Sequence, residues 1–162
     1  MRILGIDPGI GRCGWGVIEA ENAKLKMQNC GCIETSSKQT VEKRLEEIHA
    51  AISKLIKTYS PDALAIEELF FNTNAKTAFV VGQARGVILL AAAERKLEIA
   101  IYTPLQVKLA LTGYGRAEKP QVGQMVKTLL GLKAVPKPDD TADGLAIAIT
   151  HAFSAKTAKL TK

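Results

Sequence analysis

Apolar and polar positions divide the chain into short strands and helices. Residues 2–7 (RILGID) form a brief apolar run that ends on an acid. Residues 13–20 (CGWGVIEA) and 24–34 (KLKMQNCGCIE) extend beyond a Gly-rich turn, and the three segments together predict an antiparallel meander. Between Thr40 and Tyr59, Val41, Leu45, Ile48, Ile52, Leu55, Ile56 and Tyr59 recur at three- and four-residue steps. That periodicity predicts a helix with one buried face, His49 standing in solvent beside the stripe. Pro61-Asp62 restarts the chain, and Ala63, Leu64, Ala65 and Ile66 form the continuous apolar run of a strand covered on both faces, ending on Glu67-Glu68.

Residues 75–97 read as a helix that is apolar around most of its circumference, and so central to the core or shared with another subunit. Gly82 and Gly86, four apart on one face, permit close backbone approach there. LEIAIYT, ending at Thr103, is a fifth strand; 104–111 and 119–130 are shorter helices around the Gly113-Tyr114-Gly115 break. A Pro- and Lys-containing loop at 132–138 precedes a last helix opening at Asp139, which frays past Ser154. This order predicts an α/β fold in one domain, residues 1–155, with 156–162 as a flexible basic tail. If the strand at 62–67 crosses over through the helix at 40–59 and lies parallel to the first strand, Asp7 and Glu67 become neighbours.

At 162 residues with 47% apolar and 23% charged positions, the chain suits one domain with a substantial core. Apolar stretches are broken by charge well before the roughly 18 residues of a membrane-spanning helix, and no basic lead precedes a hydrophobic signal, so a soluble, cytoplasmic protein with no membrane partner is expected. Cys13, Cys30 and Cys32 are odd in number and lack paired C-x-x-C spacing, which supports neither a disulfide framework nor structural zinc. The net charge of +6 is uneven: residues 76–162 carry 13 Lys and Arg against 6 Asp and Glu. Such an excess suits a polyanionic partner, or simply a solvated cationic face.

The candidate chemistry is acidic. Two buried-looking strands end on carboxylates, Asp7 and the Glu67-Glu68 pair, and the last helix begins KPDDTADGLAIAITHAF. Asp140 and Asp143 are three apart and so share a side of that helix, although acids in a first turn also serve as caps and dipole partners, Asp139 being a good N-cap. Gly144 costs a helix interior about 1 kcal/mol relative to Ala, which suggests that something approaches closely there. Alternation along the strand sends Glu67 and Glu68 to opposite faces, and Glu67 is taken as the one facing the site. Four converging carboxylates, Asp7, Glu67, Asp140 and Asp143, repel unless a cation offsets them; oxygen-only ligands favour Mg²⁺ or Mn²⁺, and two such ions can hydrolyse a phosphodiester. His151, eight residues beyond Asp143, lies too far along the helix to share an ion and reads as a core histidine.

GIDPGIGRCGWGVIE, IEELFFNTNAKTAFVVGQARGVILLAAA, YTPLQVKLALTGYGRAEKPQVGQMVKTLL and DDTADGLAIAITH together resemble the RuvC family of Holliday-junction resolvases over nearly the whole chain. The resemblance implies an RNase H-like fold, with a five-stranded mixed sheet of three antiparallel and two parallel strands flanked by helices. It also implies a homodimer that cuts four-way junction DNA twice, symmetrically, leaving 5′-phosphate and 3′-hydroxyl nicks. Asp7, Glu67, Asp140 and Asp143 match the family's catalytic, metal-holding acids, two Mg²⁺ per subunit with Mn²⁺ able to substitute; some members carry His where Asp140 stands. Phe70 matches an aromatic that stacks on bases near the junction, while Lys108 and Lys119 match lysines beside the scissile phosphate. Arg85 and Lys76 are further phosphate-contact candidates, Arg85 alternatively structural, and a branch-migration motor is an implied partner. The rival readings are an actin-like or sugar-kinase ATPase module, whose D-x-G strand end and Gly-rich hairpin look alike, and a non-catalytic nucleic-acid-binding domain.

Overall fold

The computed structural model describes residues 1–22, 24–69 and 75–160, the side chains at 75–76 and 157–160 excepted. Its elements run β1 (Arg2–Asp7), β2 (Arg12–Glu21), β3 (Lys24–Glu34), α1 (Val41–Tyr59), β4 (Ala63–Glu67), α2 (Ala75–Glu94), β5 (Glu98–Tyr102), α3 (Pro104–Thr112), α4 (Lys119–Leu129) and α5 (Asp139–Leu160). The strands form one sheet in the order β3-β2-β1-β4-β5. The first three are antiparallel, and β4 and β5 are parallel to β1, so the expected mixed sheet is present. The register pairs Ile6 with Ile66, which leaves Asp7 and Glu67 side by side where two adjacent strands end.

Strand alternation decides which way these acids face. Leu4, Ile6, Leu64 and Ile66 pack with Ile48, Ile52 and Ile88 of α1 and α2 on one side of the sheet. Ile3 and Ala65 belong to the other side, with Leu145 and Ile149 of α5, Val107 of α3 and Val126 of α4. Two-residue periodicity therefore carries Asp7 and Glu67 to the α5 face, the side from which Asp143 arrives.

Several details differ from the sequence expectation. α5 continues to Leu160, past Ser154, because no Gly or Pro interrupts the chain there. The window Thr77–Glu94 of α2 has the length and apolarity of a membrane span, since Arg85 and Glu94 are its only charges. Inside the fold, its Ala84, Ile88, Ala91 and Ala92 are buried against the core. The expected Asp139 cap is also replaced: Asp139 is the first helical residue, and its carboxylate takes a hydrogen bond from Lys137 Nζ at 2.6 Å.

Candidate active site

β1 and β4 deliver Asp7 and Glu67 as their last residues, and the first turns of α5 deliver Asp143. Together with Pro104, Val107, Lys108, Lys119 and Val122 they line a cleft of about 270 Å³. Its wall is apolar and its floor acidic, an arrangement that is costly without compensating positive charge. Burial pushes the Asp7 carboxyl up to about 8, and Glu67, Asp143 and Asp140 add to the rise against the opposing pull of Lys119. Burial and Asp143 likewise push Glu67 up to about 7, against Lys119 and Lys108. Glu68 turns out to solvent, so the choice between the paired glutamates falls on Glu67.

Two cations already lean on this group. Lys119 Nζ donates to Asp143 Oδ2 at 2.7 Å, a contact that raises the lysine pKa. Arg12 Nη1 stands 4.0 Å from Asp140 Oδ2, and its Nε is 3.6 Å from Glu34 Oε1. Asp143 and Asp140 thus face different cations. Asp140 accordingly flanks the cleft, and among the described residues no three His, Cys, Asp or Glu side chains close into a metal cage. The donor set is nonetheless oxygen throughout, and the raised Asp7 and Glu67 are carboxyls that a hard divalent ion would deprotonate on binding. The residues fit such an ion by chemistry.

The remaining sequence candidates are distributed unevenly. Lys108 lines the cleft without an ion-pair partner among the described residues. Arg85 turns inward: its Nε donates to the Glu67 carbonyl at 3.3 Å, bracing the strand end from α2. Phe70 lies outside the described residues, as does the side chain of Lys76. His151 is 5% exposed and shares a 2.8 Å hydrogen bond between Nδ1 and the Tyr102 hydroxyl, a satisfied core histidine as expected. His49 is half-buried and meets Glu94 at 3.2 Å rather than standing free. Sequence reasoning missed Arg12. Its only signal was a basic residue closing the Gly-rich turn after Asp7.

The family model described as crossover junction endodeoxyribonuclease RuvC matches residues 3–151. The RuvC of Alkaliphilus metalliredigens is 58% identical over 154 residues, 95% of this chain and 94% of that protein. The Thermus thermophilus RuvC structure superposes with a TM-score of 0.91 at 40% identity, covering 98% of this chain and 97% of that one. The structure of T. thermophilus RuvC in complex with Holliday junction substrate gives 0.89 at 39%, covering 97% and 96%.

Proposed function

The chain belongs to the RuvC family of crossover junction endodeoxyribonucleases, and from that premise we propose that it resolves four-way DNA junctions by paired symmetric nicks. It is an RNase H-like, metal-dependent nuclease that hydrolyses DNA phosphodiester bonds. The observation that carries the reading is the convergence of Asp7, Glu67 and Asp143 from three separate elements on one cleft that Lys108 and Lys119 also line.

Asp7, Glu67, Asp143 and the flanking Asp140 are the residues that would hold two Mg²⁺ per subunit, with Mn²⁺ able to substitute. The chemistry such a pair supplies when bound is activation of a water and stabilisation of the leaving oxygen. The protein's own groups do the rest. Lys108, which makes no ion pair among the described residues and faces Glu67 across the cleft only at longer range, is placed to meet a phosphate oxygen as charge develops. Lys119 is held on Asp143 and can share its remaining N–H donors with the same phosphate. Val107 and Val122 supply apolar surface to the cleft wall. Attack of water on phosphorus breaks the bond to the 3′ oxygen, leaving 5′-phosphate and 3′-hydroxyl ends.

Paired cutting needs two such sites, and α2 offers the surface. Phe79 and Leu90 are 70% and 52% exposed, while a Cβ added at Gly82 or Gly86 would meet nothing within 4 Å. At spacings of three, four and four residues these positions form one apolar stripe opposite the buried Ala84, Ile88 and Ala91. A second copy of the chain, bringing the same stripe, covers it. Leu90→Glu is expected to leave the fold intact and convert a dimer to monomers by sedimentation equilibrium at micromolar concentration. Paired nicking should then fall by at least about tenfold, because each buried like-charge pair at a symmetric contact costs several kcal/mol.

The test of the function uses a synthetic four-way junction, a linear duplex of the same sequence, and ATP, with and without Mg²⁺. Symmetric ligatable nicks in the junction alone, dependent on the divalent ion, are expected. ATP turnover without nicking would instead favour the actin-like reading, and junction binding without cleavage the non-catalytic one.

A further inference from the structure

The cleft is lined by residues of α3 and α4, and an aromatic residue stands exposed in the turn between these two helices. Tyr114 lies in the α3–α4 turn, 57% exposed, and its hydroxyl has no hydrogen-bond partner among the described residues. The turn that holds it is rigidly fastened. Gly113 closes α3 in the left-handed conformation at φ 70°, its N–H donating to the Leu109 carbonyl at 2.9 Å. The Thr112 hydroxyl accepts from the Tyr114 N–H at 3.1 Å and donates to the Lys108 carbonyl at 2.8 Å. The Ala117 N–H donates to the Tyr114 carbonyl at 3.1 Å, and Ala117 itself is buried. An exposed tyrosine on a fixed backbone presents a ring face at small entropic cost to whatever binds it.

The surroundings say what that is. Tyr114, Thr112, Ala117, Pro120 and Met125 line a groove of about 450 Å³. Pro120 and Gln124 continue it into a second groove of about 300 Å³ that passes Lys119, Lys137 and Asp143. Lys119 and Asp143 in turn line the catalytic cleft. The three hollows therefore adjoin one another around the first turn of α4, from the acids to Tyr114. Two of their carboxylates are already engaged, Asp143 by Lys119 and Asp139 by Lys137. Arg116 and Lys108 have no ion-pair partner among the described residues. An aromatic face two residues from the unpaired Arg116, in a hollow linked through its neighbour to a phosphodiester-cutting cleft, fits a nucleic-acid strand.

We propose that the α3–α4 turn is a second DNA contact, in which Tyr114 stacks on a nucleotide of the strand leaving the cleft and Arg116 meets a nearby phosphate. The assignment rests on the resolvase reading and extends its substrate contacts beyond the acids and the two cleft lysines. Its consequence is register: a base held on Tyr114 fixes how far the strand is drawn through before the scissile bond reaches the acids.

The test compares the full-length protein with Tyr114→Ala, Tyr114→Phe and Arg116→Ala on a synthetic four-way junction in Ca²⁺, with 2-aminopurine placed singly along the strand flanking the cut. Tyr114→Ala is expected to weaken junction binding about tenfold and to abolish quenching at one fluorophore position. Tyr114→Phe keeps both, because the hydroxyl contributes nothing. Arg116→Ala is expected to reduce the salt dependence of binding by about one released counterion. Equal melting temperatures for all four proteins are expected, since Tyr114 packs little. If Tyr114→Ala binds and quenches as the parent does while the parent binds and cuts the junction, this proposal is overturned and the resolvase reading stands. If the parent neither prefers nor cuts the junction, the resolvase reading fails instead. Loss of binding in Tyr114→Phe as well as in Tyr114→Ala would also overturn it, by pointing to the hydroxyl rather than the ring.

Discussion

Asp7→Asn is expected to abolish cleavage, by about 10³-fold or more, and at the same time to stabilise the metal-free protein at neutral pH. The first effect follows from removing a charged oxygen ligand from the centre of the acidic floor, which forfeits several kcal/mol of transition-state stabilisation. The second follows from linkage. Folded Asp7 holds its proton up to about pH 8, mainly because it is buried and faces Glu67 and Asp143. In the unfolded chain the same carboxyl ionises near pH 4. Between those values the unfolded state binds fewer protons than the folded one, so stability falls as pH rises through the window and levels off above it. Asparagine has no such window. The difference in melting temperature between Asp7→Asn and the parent, measured in chelator, should be small near pH 4, open as pH rises and be largest near pH 8. Mg²⁺ should raise the parent's melting temperature at pH 8 far more than the variant's, because binding to the folded state alone stabilises it. A difference that does not change with pH would mean that Asp7 is not the strained charge. Cleavage at the parent's rate would remove Asp7 from the chemistry altogether.

What could be read from the sequence were features with a local signature. The apolar run Ala63–Ile66 gave a doubly covered strand. Its parallel pairing with β1 was legible only as a condition, a crossover through the intervening helix, and the register that meets this condition sets Asp7 beside Glu67. Asp143 was legible because helical spacing is a local rule. Asp140 shares that spacing, yet it flanks the cleft and faces Arg12, a residue from the far strand that no periodicity links to α5. Arg85 was ambiguous for the same reason: on an apolar helix, sequence alone leaves an arginine either reaching for phosphate or bracing a neighbour, and the donor to the Glu67 carbonyl is visible only in three dimensions. The groove beside Tyr114 was likewise hidden, because it is formed by side chains of two short helices and the turn between them.

The close seating of α5 on the sheet, signalled in the sequence by Gly144 without its partner, predicts the second large effect: Gly144→Ala is expected to destabilise the protein and slow cleavage together. Alanine should help a helix interior by about 1 kcal/mol. Here the added Cβ would lie 2.7 Å from Trp15 Cα, 2.8 Å from Trp15 N and 2.9 Å from Gly14 C, all backbone atoms of β2 that cannot rotate away. The same contact is seen from the other side, since a Cβ at Gly5 would fall 2.2 Å from the Gly144 oxygen, and one at Gly14 would fall 1.8 Å from the Asp140 oxygen. Only helix displacement relieves the clash, and with three backbone atoms inside 3 Å the overpacking cost falls at the upper end of its usual range, about 3 kcal/mol, against a propensity gain of about 1 kcal/mol. A net loss of about 2 kcal/mol lowers the melting temperature by roughly 4–8 °C for a chain of this size. Because Gly144 adjoins Asp143 and lies one turn from Asp140, the displacement also moves two of the four acids. Cleavage by the still-folded fraction should fall by about tenfold, and Mn²⁺ binding by calorimetry should weaken in parallel. A Gly144→Ala protein as stable as its parent would show helix propensity prevailing, and would mean that α5 does not rest on the backbone of β2.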